Sequence, residues 1–344
     1  MSNIHFQLTA GTDVGRQRSN NEDNFIVNAN LAESEWFIPK DEVSSIVLKE
    51  KGCLLVVADG MGGMNAGEVA SGIAVDSIQK SFLSYNIKDD IISSAASIEN
   101  FMKTAVLSAD NAIKEHAEKN TDTFGMGTTV IMAWILGGKV YISWCGDSRA
   151  YSFHPESGLI QLSKDHSYVQ ELVDEGRLDK ECAFDHPNNN IITRSLGDPG
   201  RVAKPDFVEH DLRDGEMILL CTDGLSGMMR DPAIEKIMAE TADDITVCKN
   251  TLIESALKEG GHDNVTIALC KILSGVEGAE GANDANADDA NAADDVDKGV
   301  VSSNTIKPIK KSRFVALIVI LLLLLIGLIA FGIYYMRYIY NPEM

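Results

Sequence analysis

Five aspartates lie at the ends of short apolar segments, and their type and placement could do chemistry. They are Asp23, Asp59, Asp147, Asp223 and Asp263. A carboxylate at a strand end is held firmly by its sheet, and an adjacent glycine lets backbone carbonyls and water approach closely. Any one of these residues could be a simple turn or capping residue. Five of them, drawn from distant parts of one chain, favour a shared site.

Hard divalent cations would explain why so many carboxylates come together. Without cations, converging carboxylates repel one another and raise one another's pKa values. Mg²⁺ and Mn²⁺ prefer oxygen ligands, whereas the histidines and the six cysteines show no zinc-like spacing. The residue types therefore favour a carboxylate-rich site for two such ions.

The segments that must position these aspartates are predicted to be short strands. Apolar alternation and β-branched runs predict strands at 54–58, 128–136, 140–144, 217–221 and 265–272. Each of the aspartates at 59, 223 and 263 directly follows or shortly precedes one of these segments. Many short strands with turn signals between them indicate hairpins and antiparallel sheets.

Helical patterns interrupt the strands at three places. Asn65 and Glu68 predict a capping box ahead of an apolar stripe over 70–78. A second stripe covers 101–113, and a third helix is predicted over about 245–258, where a pair of glycines ends it. Because the helices come in clumps rather than between successive strands, the pattern predicts an α+β fold.

Composition divides the chain into four zones. Residues 1–273 have the mixed, patterned content of a folded domain. Residues 274–313 form an acidic stretch rich in Gly, Ala, Asn and Asp that ends in a basic segment, and 314–336 and 337–344 are an apolar segment and a short tail. The acidic stretch buries too little apolar surface to fold alone, so we interpret it as a flexible linker rather than a partner-binding tail.

The apolar segment predicts a single transmembrane helix. Its 23 residues carry no charge, and at about 1.5 Å per residue a helix of this length would cross a bilayer. Lys307, Lys310, Lys311 and Arg313 precede the segment, and only Arg337 follows it. The positive-inside rule then predicts a plasma-membrane protein whose folded domain is cytoplasmic.

The charge balance excludes some classes of function. The formal net charge is −21, and nucleic-acid affinity comes mainly from basic residues that neutralise phosphates. A two-metal nuclease therefore fits the carboxylates but not the charge, and no nucleic-acid partner is expected. The cysteines show no disulfide framework, so a reducing compartment is favoured.

Nine segments between about His5 and Ile272 together resemble the bacterial form of the metal-dependent protein phosphatases, the protein phosphatase 2C family. They occur in the family's order. The segments are TDVGRQRSNNED (12–23), VVADGMGG (56–63), AGEVAS (66–71), GMGTT (125–129), GDSRAY (146–151), KDHS (164–167), NIITRSLG (190–197), LLCTDGL (219–225) and GGHDNVT (260–266). The resemblance implies a four-layer αββα sandwich, in which two antiparallel β-sheets are flanked by helices, and a serine/threonine phosphoprotein phosphatase activity.

The resemblance also implies roles for individual residues. Asp59 would bridge two Mn²⁺ or Mg²⁺ ions. The Gly60 carbonyl would bind one of these ions, and Asp223 and Asp263 would bind the other. Asp23 would hold or orient water on a metal. Two further assignments complete the implied site: Arg18, rather than Arg16, as the residue that grips the substrate phosphate, and Asp147 as ligand of a third, weaker ion.

The implied reaction is direct attack on phosphorus by a hydroxide held between two ions. Met61 stands where some relatives have a candidate general acid, so the proton donor stays unassigned. Phosphorylated Ser/Thr proteins would be substrates, and an opposing Ser/Thr kinase a partner. Residues 166–197 resemble the family's flap beside the active site, and residues 28–52 look longer than its usual link. The alternative function is a catalytically inactive, phosphatase-like binding or regulatory module.

Overall fold

Two antiparallel β-sheets stack face to face, and helices cover the outer face of each. A computed structural model describes residues 3–33, 36, 45–62 and 66–276. The described strands are β1 (His5–Asp13), β2 (Asn24–Asn28), β3 (Ile46–Val47), β4 (Cys53–Ala58), β5 (Gly60–Met61), β6 (Gly127–Thr128), β7 (Val130–Leu136), β8 (Lys139–Cys145), β9 (Arg149–His154), β10 (Gly158–Gln161), β11 (Asp206–Asp211), β12 (Met217–Cys221) and β13 (Val265–Ser274). The described helices are α1 (Ala66–Ser81), α2 (Ala95–Lys119), α3 (Tyr168–Asp174), α4 (Lys180–Ala183), α5 (Asp223–Ser226), α6 (Asp231–Glu240) and α7 (Ile245–Lys258), with a 3₁₀ turn at Thr121–Thr123.

Both large sheets are built from antiparallel neighbours. One has six strands in the order β10-β9-β12-β13-β1-β3, and the other has five in the order β11-β8-β7-β4-β2. β1 and β13 pair over their full length, from His5 opposite Ser274 to Asp13 opposite Val265. A short separate ladder joins β5 to β6. The predicted α+β class with antiparallel sheets is confirmed.

Three hydrophobic cores separate four layers. The helices α1 and α2 pack on the five-stranded sheet, the two sheets pack on each other, and α6 and α7 pack on the six-stranded sheet. Strand β4 contributes to two cores, since Leu54 and Val56 face the helices while Leu55 and Val57 face the second sheet. Because both faces are covered, this strand is apolar at every position. The layer order is the expected αββα.

The strand predicted over 128–136 divides into two. Thr128 ends β6, whereas β7 begins at Val130 and joins the five-stranded sheet. The break lies at Thr129, whose backbone N–H donates to the carbonyl of Asp59 over 2.8 Å. The prediction of one continuous strand was therefore wrong, because the backbone at this point is bonded to a residue of the candidate site.

The predicted helices lie close to where the sequence placed them. α7 has the predicted bounds, and the side chain of its N-cap residue Asp244 accepts hydrogen bonds from the backbone of Thr246 and Val247. α2 is longer than its apolar stripe and begins after Ser94, which accepts from the backbone N–H of Ser97. The predicted capping box of α1 includes Asn65, which lies outside the described residues.

Several predictions concern parts of the chain outside the described residues. These are the acidic linker beyond Val276, the transmembrane helix at 314–336 and the tail at 337–344. No described helix combines the length and the apolar character that a bilayer span requires. In the long link over 28–52, Trp36 packs against the core of α1 and α2, and β3 adds an edge strand to the six-stranded sheet.

The cysteines behave as small apolar residues, with one exception. All six lie within the described ranges, and five of them are buried. Cys182, on α4, is exposed. Trp134 is fully buried and has edge-on contact with Phe82, so this tryptophan is part of the core.

Candidate active site

The ends of strands from both sheets meet at one edge of the sandwich. Asp59 follows β4 and Asp147 follows β8, both in the five-stranded sheet. Asp223 follows β12 and Asp263 precedes β13, which are neighbours in the six-stranded sheet. Asp23 precedes β2, which pairs with β4. The topology thus brings all five predicted aspartates to the same edge.

Asp59 is fixed through its backbone. Its carbonyl accepts hydrogen bonds from the backbone N–H of Thr129 and the hydroxyl of Thr128, both at 2.8 Å. Its own N–H donates to the hydroxyl of Thr129 over 3.2 Å. Burial raises the pKa of Asp59 well above its ordinary value, and the other four aspartates raise it further, Asp223 most strongly. Asp59 therefore lies at the electrostatic centre of the carboxylate cluster, by which we mean the five aspartates together.

Gly60 occupies a position where no side chain would fit. A β-carbon there would lie 2.3 Å from the carbonyl oxygen of Gly67 and 2.4 Å from that of Glu22. The backbone N–H of Gly60 donates to the same Glu22 carbonyl over 3.2 Å. Glycine is therefore required for α1 and the Glu22 segment to approach Asp59. The assignment of the Gly60 carbonyl to a metal stays a prediction.

Asp23 is buried between the two central strands of the six-stranded sheet. Its Oδ2 accepts hydrogen bonds from the hydroxyls of Thr222, at 3.0 Å, and Thr266, at 2.7 Å. Burial raises the pKa of Asp23 to about 7, against the lowering effect of these two hydroxyls. The two hydroxyls bind Oδ2 of Asp23, so its other carboxylate oxygen, Oδ1, is available to water or an ion.

Asp147 and Asp223 each have a buried oxygen that lacks a hydrogen-bond partner among the described residues. In both cases this atom is Oδ1. Burial raises the pKa of Asp147 well above the ordinary value, and Asp223 is the next cause. Burial and Asp263 likewise raise the pKa of Asp223, although a hydrogen bond with Asp59 opposes them. Buried carboxylate oxygens without partners are costly unless a cation satisfies them.

Arg18 reaches the cluster, whereas Arg16 is held by its backbone elsewhere. Nη2 of Arg18 donates to Oδ2 of Asp263 over 2.7 Å, and the arginine side chain is 51% exposed. Arg16 donates its backbone N–H to the Gly261 carbonyl. The guanidinium of Arg18 thus lies beside Asp263 at the cluster, and its assignment to the substrate phosphate stays a prediction.

Asn264 organises the loop that carries Arg18, and the sequence analysis missed it. Its Nδ2 donates to the carbonyls of Val14, at 2.8 Å, and Asn20, at 2.9 Å. Its Oδ1 accepts from the backbone N–H of Glu22 over 2.7 Å. Asn264 is 4% exposed, so this buried amide fixes both ends of the loop. Its position beside Asp263 was the only available signal in the sequence.

The flap, residues 166–197, is joined to the cluster through His166. Nδ1 of His166 accepts from the backbone N–H of Gly146, at 3.1 Å, and Nε2 lies 3.1 Å from a carboxylate oxygen of Asp206. This arrangement requires the neutral ring with its proton on Nε2. Burial also lowers the pKa of His166. Because Gly146 precedes Asp147, His166 has a structural role in placing that aspartate.

A cavity of about 640 Å³ lies between the flap and the start of α6, and we call it the flap cavity. Asp147, Asp223 and Asp263 line one end of it. The cluster is therefore open to a ligand from the flap side.

The donor set of the cluster fits hard divalent cations. Burial and mutual repulsion raise the pKa values of Asp23, Asp59, Asp147 and Asp223, and two of these residues have buried oxygens without a partner among the described residues. Within the described ranges, no three His, Cys, Asp or Glu side chains are already arranged as a complete metal site. Ion binding would thus require small side-chain adjustments, including release of Asp263 by Arg18.

Comparison with known proteins gives a consistent result. Residues 38–258 match the sequence profile of a family described as protein phosphatase 2C. The chain is 34% identical over 258 residues to the serine/threonine phosphatase stp of Listeria innocua, covering 75% of this chain and 92% of that protein. It is 33% identical over 267 residues to the serine/threonine protein phosphatase PstP of Mycobacterium tuberculosis, where the match covers 78% of this chain and 45% of the relative.

Solved structures share the fold. The crystal structure of the M. tuberculosis phosphatase PstP matches with a TM-score of 0.64 and 31% identity, over 78% of this chain and all of that one. A structure of the catalytic domain of PstP in complex with two manganese ions matches with a TM-score of 0.62 and 30% identity, over 79% of this chain and 100% of that one.

Proposed function

This chain belongs to the protein phosphatase 2C family, and we propose that it hydrolyses phosphoserine and phosphothreonine in proteins with the help of two Mn²⁺ or Mg²⁺ ions. The observation that carries the proposal is the position of Asp59, whose pKa is raised by burial and by four other strand-end carboxylates at the same edge. A third, weaker ion at Asp147 is part of the proposal. Its support is the unpartnered Oδ1 of that residue.

The proposed ligands divide by sheet. Asp59, with the Gly60 carbonyl, would come from the five-stranded sheet, and Asp223 and Asp263 from the six-stranded sheet. When bound, two hard cations supply an acidified water as nucleophile and positive charge that faces the phosphoryl oxygens. Asp23 would orient water, since one of its oxygens is already held by Thr222 and Thr266.

Arg18 is proposed to bind the substrate phosphate. Its exposed guanidinium stands beside Asp263 at the mouth of the cluster. The planar fork of an arginine suits two phosphoryl oxygens at once. Because Asp263 is also a proposed metal ligand, ion binding would free Arg18 for the substrate. Asn264 would keep the Arg18 loop in place while this exchange occurs.

The direct test replaces Asp59 by asparagine in the full chain. We expect Asp59→Asn to lower Mn²⁺-dependent hydrolysis of a phosphothreonine peptide by more than about a hundredfold, the upper range for groups that only support a ligand. Asp76→Asn, at an exposed position of α1, is the matched control and should retain full activity. Calorimetric titration with Mn²⁺ should show weaker binding in Asp59→Asn alone.

Two other results would contradict the proposal in different ways. Normal turnover by Asp59→Asn would remove the central residue from the mechanism. Binding of Mn²⁺ by the natural chain without any hydrolysis would instead favour the inactive binding module.

We also propose that the chain is tethered to the inner face of the plasma membrane through residues 314–336. The support is the uncharged 23-residue sequence and the basic residues that precede it. A tether raises the local concentration of membrane-bound substrates without new contacts. An opposing Ser/Thr kinase at the same membrane would share these substrates.

A further inference from the structure

The flap cavity opens directly from the carboxylate cluster and extends well beyond it. Val173 of α3 and Phe184 at the end of α4 line its flap side, while Met228 and Pro232 line the side that leads into α6. Its volume of about 640 Å³ lies within the range of about 300–1,000 Å³ typical of ligand pockets. A phosphoryl group at the cluster would fill only a part of this space.

The charged residues along the cavity are largely paired with one another. Arg149 donates to Asp165 over 2.7 Å and lies 3.6 Å from Asp231. Arg230 is bound to Asp185. Beyond the carboxylate cluster, the charged lining residues outside these pairs are Lys180 and Glu181, which are exposed and opposite in sign. Apart from these two residues, a charged ligand group in the cavity would meet lining charges that are already paired.

Arg230 builds the outer wall. Its guanidinium carbon lies 4.3 Å from the centre of the Phe184 ring, and Nη2 donates to both oxygens of Asp185 at 2.6 Å. These contacts tie the flap to the N-cap residue of α6. The Phe184 side chain is thus held against the cavity by a cation–π contact. The apolar walls exist before any ligand binds.

We propose that the flap cavity binds an apolar side chain adjacent to the phosphorylated residue, so that substrates with Leu, Met or Phe beside the phosphothreonine are preferred. The inference rests on the proposed phosphatase function, because the cluster must hold the phosphoryl group. Continuity between the cluster and the cavity supports a segment of the same substrate as occupant. Apolar walls with paired charges select against a charged neighbour, which would lose its hydration without compensation.

The test compares matched phosphothreonine peptides that differ only in the residues flanking the phosphothreonine, which are Leu, Asp or Arg. The full chain with Mn²⁺ is used, and kcat/KM is measured for each peptide. We expect the Leu peptide to exceed the Asp peptide roughly tenfold, the scale on which apolar pockets discriminate. A blocked phosphothreonine without neighbours reports on hydrolysis itself.

Val173→Asp supplies the decisive variant, because it adds a carboxylate to the flap wall. The Leu peptide should lose about tenfold in kcat/KM and the Arg peptide should gain, a reversal that misfolding cannot produce. Val247→Asp adds the same group at a 48% exposed position of α7 and should keep the natural ranking.

The results of these assays distinguish failure of the cavity proposal from failure of the phosphatase proposal. Failure of the natural chain to hydrolyse any substrate, including the blocked phosphothreonine, would overturn the phosphatase proposal. Equal hydrolysis of all three peptides, or an unchanged ranking in Val173→Asp, would overturn the cavity proposal and leave the function standing.

Discussion

At the scale of single residues, the site depends on buried carboxylates that a folded chain would normally avoid. Burial and mutual repulsion raise the pKa values of Asp59, Asp147 and Asp223, which is the electrostatic cost of bringing these carboxylates together. Polar groups around them limit this cost, as the two threonine hydroxyls do at Asp23. Fixed neighbours of this kind decide whether the carboxylates stay in position.

Asn264 is the clearest such neighbour, and its removal should affect both stability and activity. Asn264→Ala would remove three hydrogen bonds, to the Glu22 N–H and to the carbonyls of Val14 and Asn20. At about 1–3 kcal/mol for an unsatisfied buried group, we expect the free energy of unfolding to fall by roughly 3 kcal/mol. Urea unfolding measures this loss, and kcat/KM for a phosphothreonine peptide should fall with it, because Arg18 loses its support.

The control for this prediction is Asn120→Ala. The amide of Asn120 donates to the His116 carbonyl at the exposed end of α2, so its loss should cost less than about 1 kcal/mol. Equal stability of Asn264→Ala and the natural chain would contradict the role given to this amide.

The aspartates could be predicted from the sequence, but the residues whose hydrogen bonds hold the site in place could not. A strand-end aspartate is a local pattern, visible within a few residues of the chain. Asn264 and its partner Val14 are 250 positions apart, and Thr266 is 243 positions from Asp23. Such pairings arise only when β1, β12 and β13 align, and no local pattern encodes them.

At the scale of elements, the two sheets are joined at both ends of the sandwich. At the active-site edge, a side-chain hydrogen bond connects Asp59, which follows β4 of the five-stranded sheet, with Asp223, which follows β12 of the six-stranded sheet. Glu216, which precedes β12, links the two sheets near the opposite edge. Its carboxylate accepts a hydrogen bond from His210 on β11 of the five-stranded sheet and another from Ser152 on β9 of the six-stranded sheet. Its other oxygen accepts from the backbone N–H of Arg213. The side chain is fully buried.

Glu216 should stabilise the fold in a pH-dependent way. Burial opposes its ionisation, but the hydrogen bonds from His210 and Ser152 outweigh burial and lower the pKa of Glu216 below its ordinary value. Its stabilisation is therefore complete above the unfolded-state pKa of about 4.3 and is lost as pH falls through the lower folded-state pKa. We expect Glu216→Gln to reduce the free energy of unfolding by roughly 2 kcal/mol at pH 6.

Urea unfolding between pH 3.5 and 7 would test this prediction. The difference in the free energy of unfolding between the natural chain and Glu216→Gln should become smaller toward pH 3.5. Glu254→Gln, at an exposed surface pair with Lys258, should change little at any pH. A difference in the free energy of unfolding that stays constant from pH 3.5 to 7 would show that the charge of Glu216 does not contribute to stability.

Element types were predictable where a pattern was long or strongly apolar. α7 was predicted with its observed bounds because the pair of glycines that follows it is a local signal. The short helices α3 and α4 carry too few residues for a period to be recognised. The strand over 128–136 was read as continuous because its break depends on a distant backbone partner, Asp59.

At the scale of the whole molecule, net charge affects which surfaces the enzyme can approach. A net charge of −21 repels anionic surfaces, so attachment to an anionic membrane would need a strong apolar anchor. The apolar segment at 314–336 would supply one.

Membrane attachment can be tested by fractionation of cells that express the full chain. We expect the natural protein to sediment with membranes and to be released by detergent but not by high salt. Leu323→Arg with Ile326→Arg should move it to the soluble fraction, because each arginine costs about 2.5–3.5 kcal/mol at the centre of a span. Leu323→Ala with Ile326→Ala is the matched control and should remain in the membrane. Release of the natural chain by salt alone would count against the span.

Cys182 differs from the other five cysteines in its exposure, and this difference provides a way to monitor the flap in solution. Cys182 is the exposed thiol, and the other five are buried in the cores. It lies on α4 between Glu181 and Ala183, two residues that line the cavity. A maleimide dye would thus attach at one native position, and its fluorescence would report substrate entry without any engineered labelling handle.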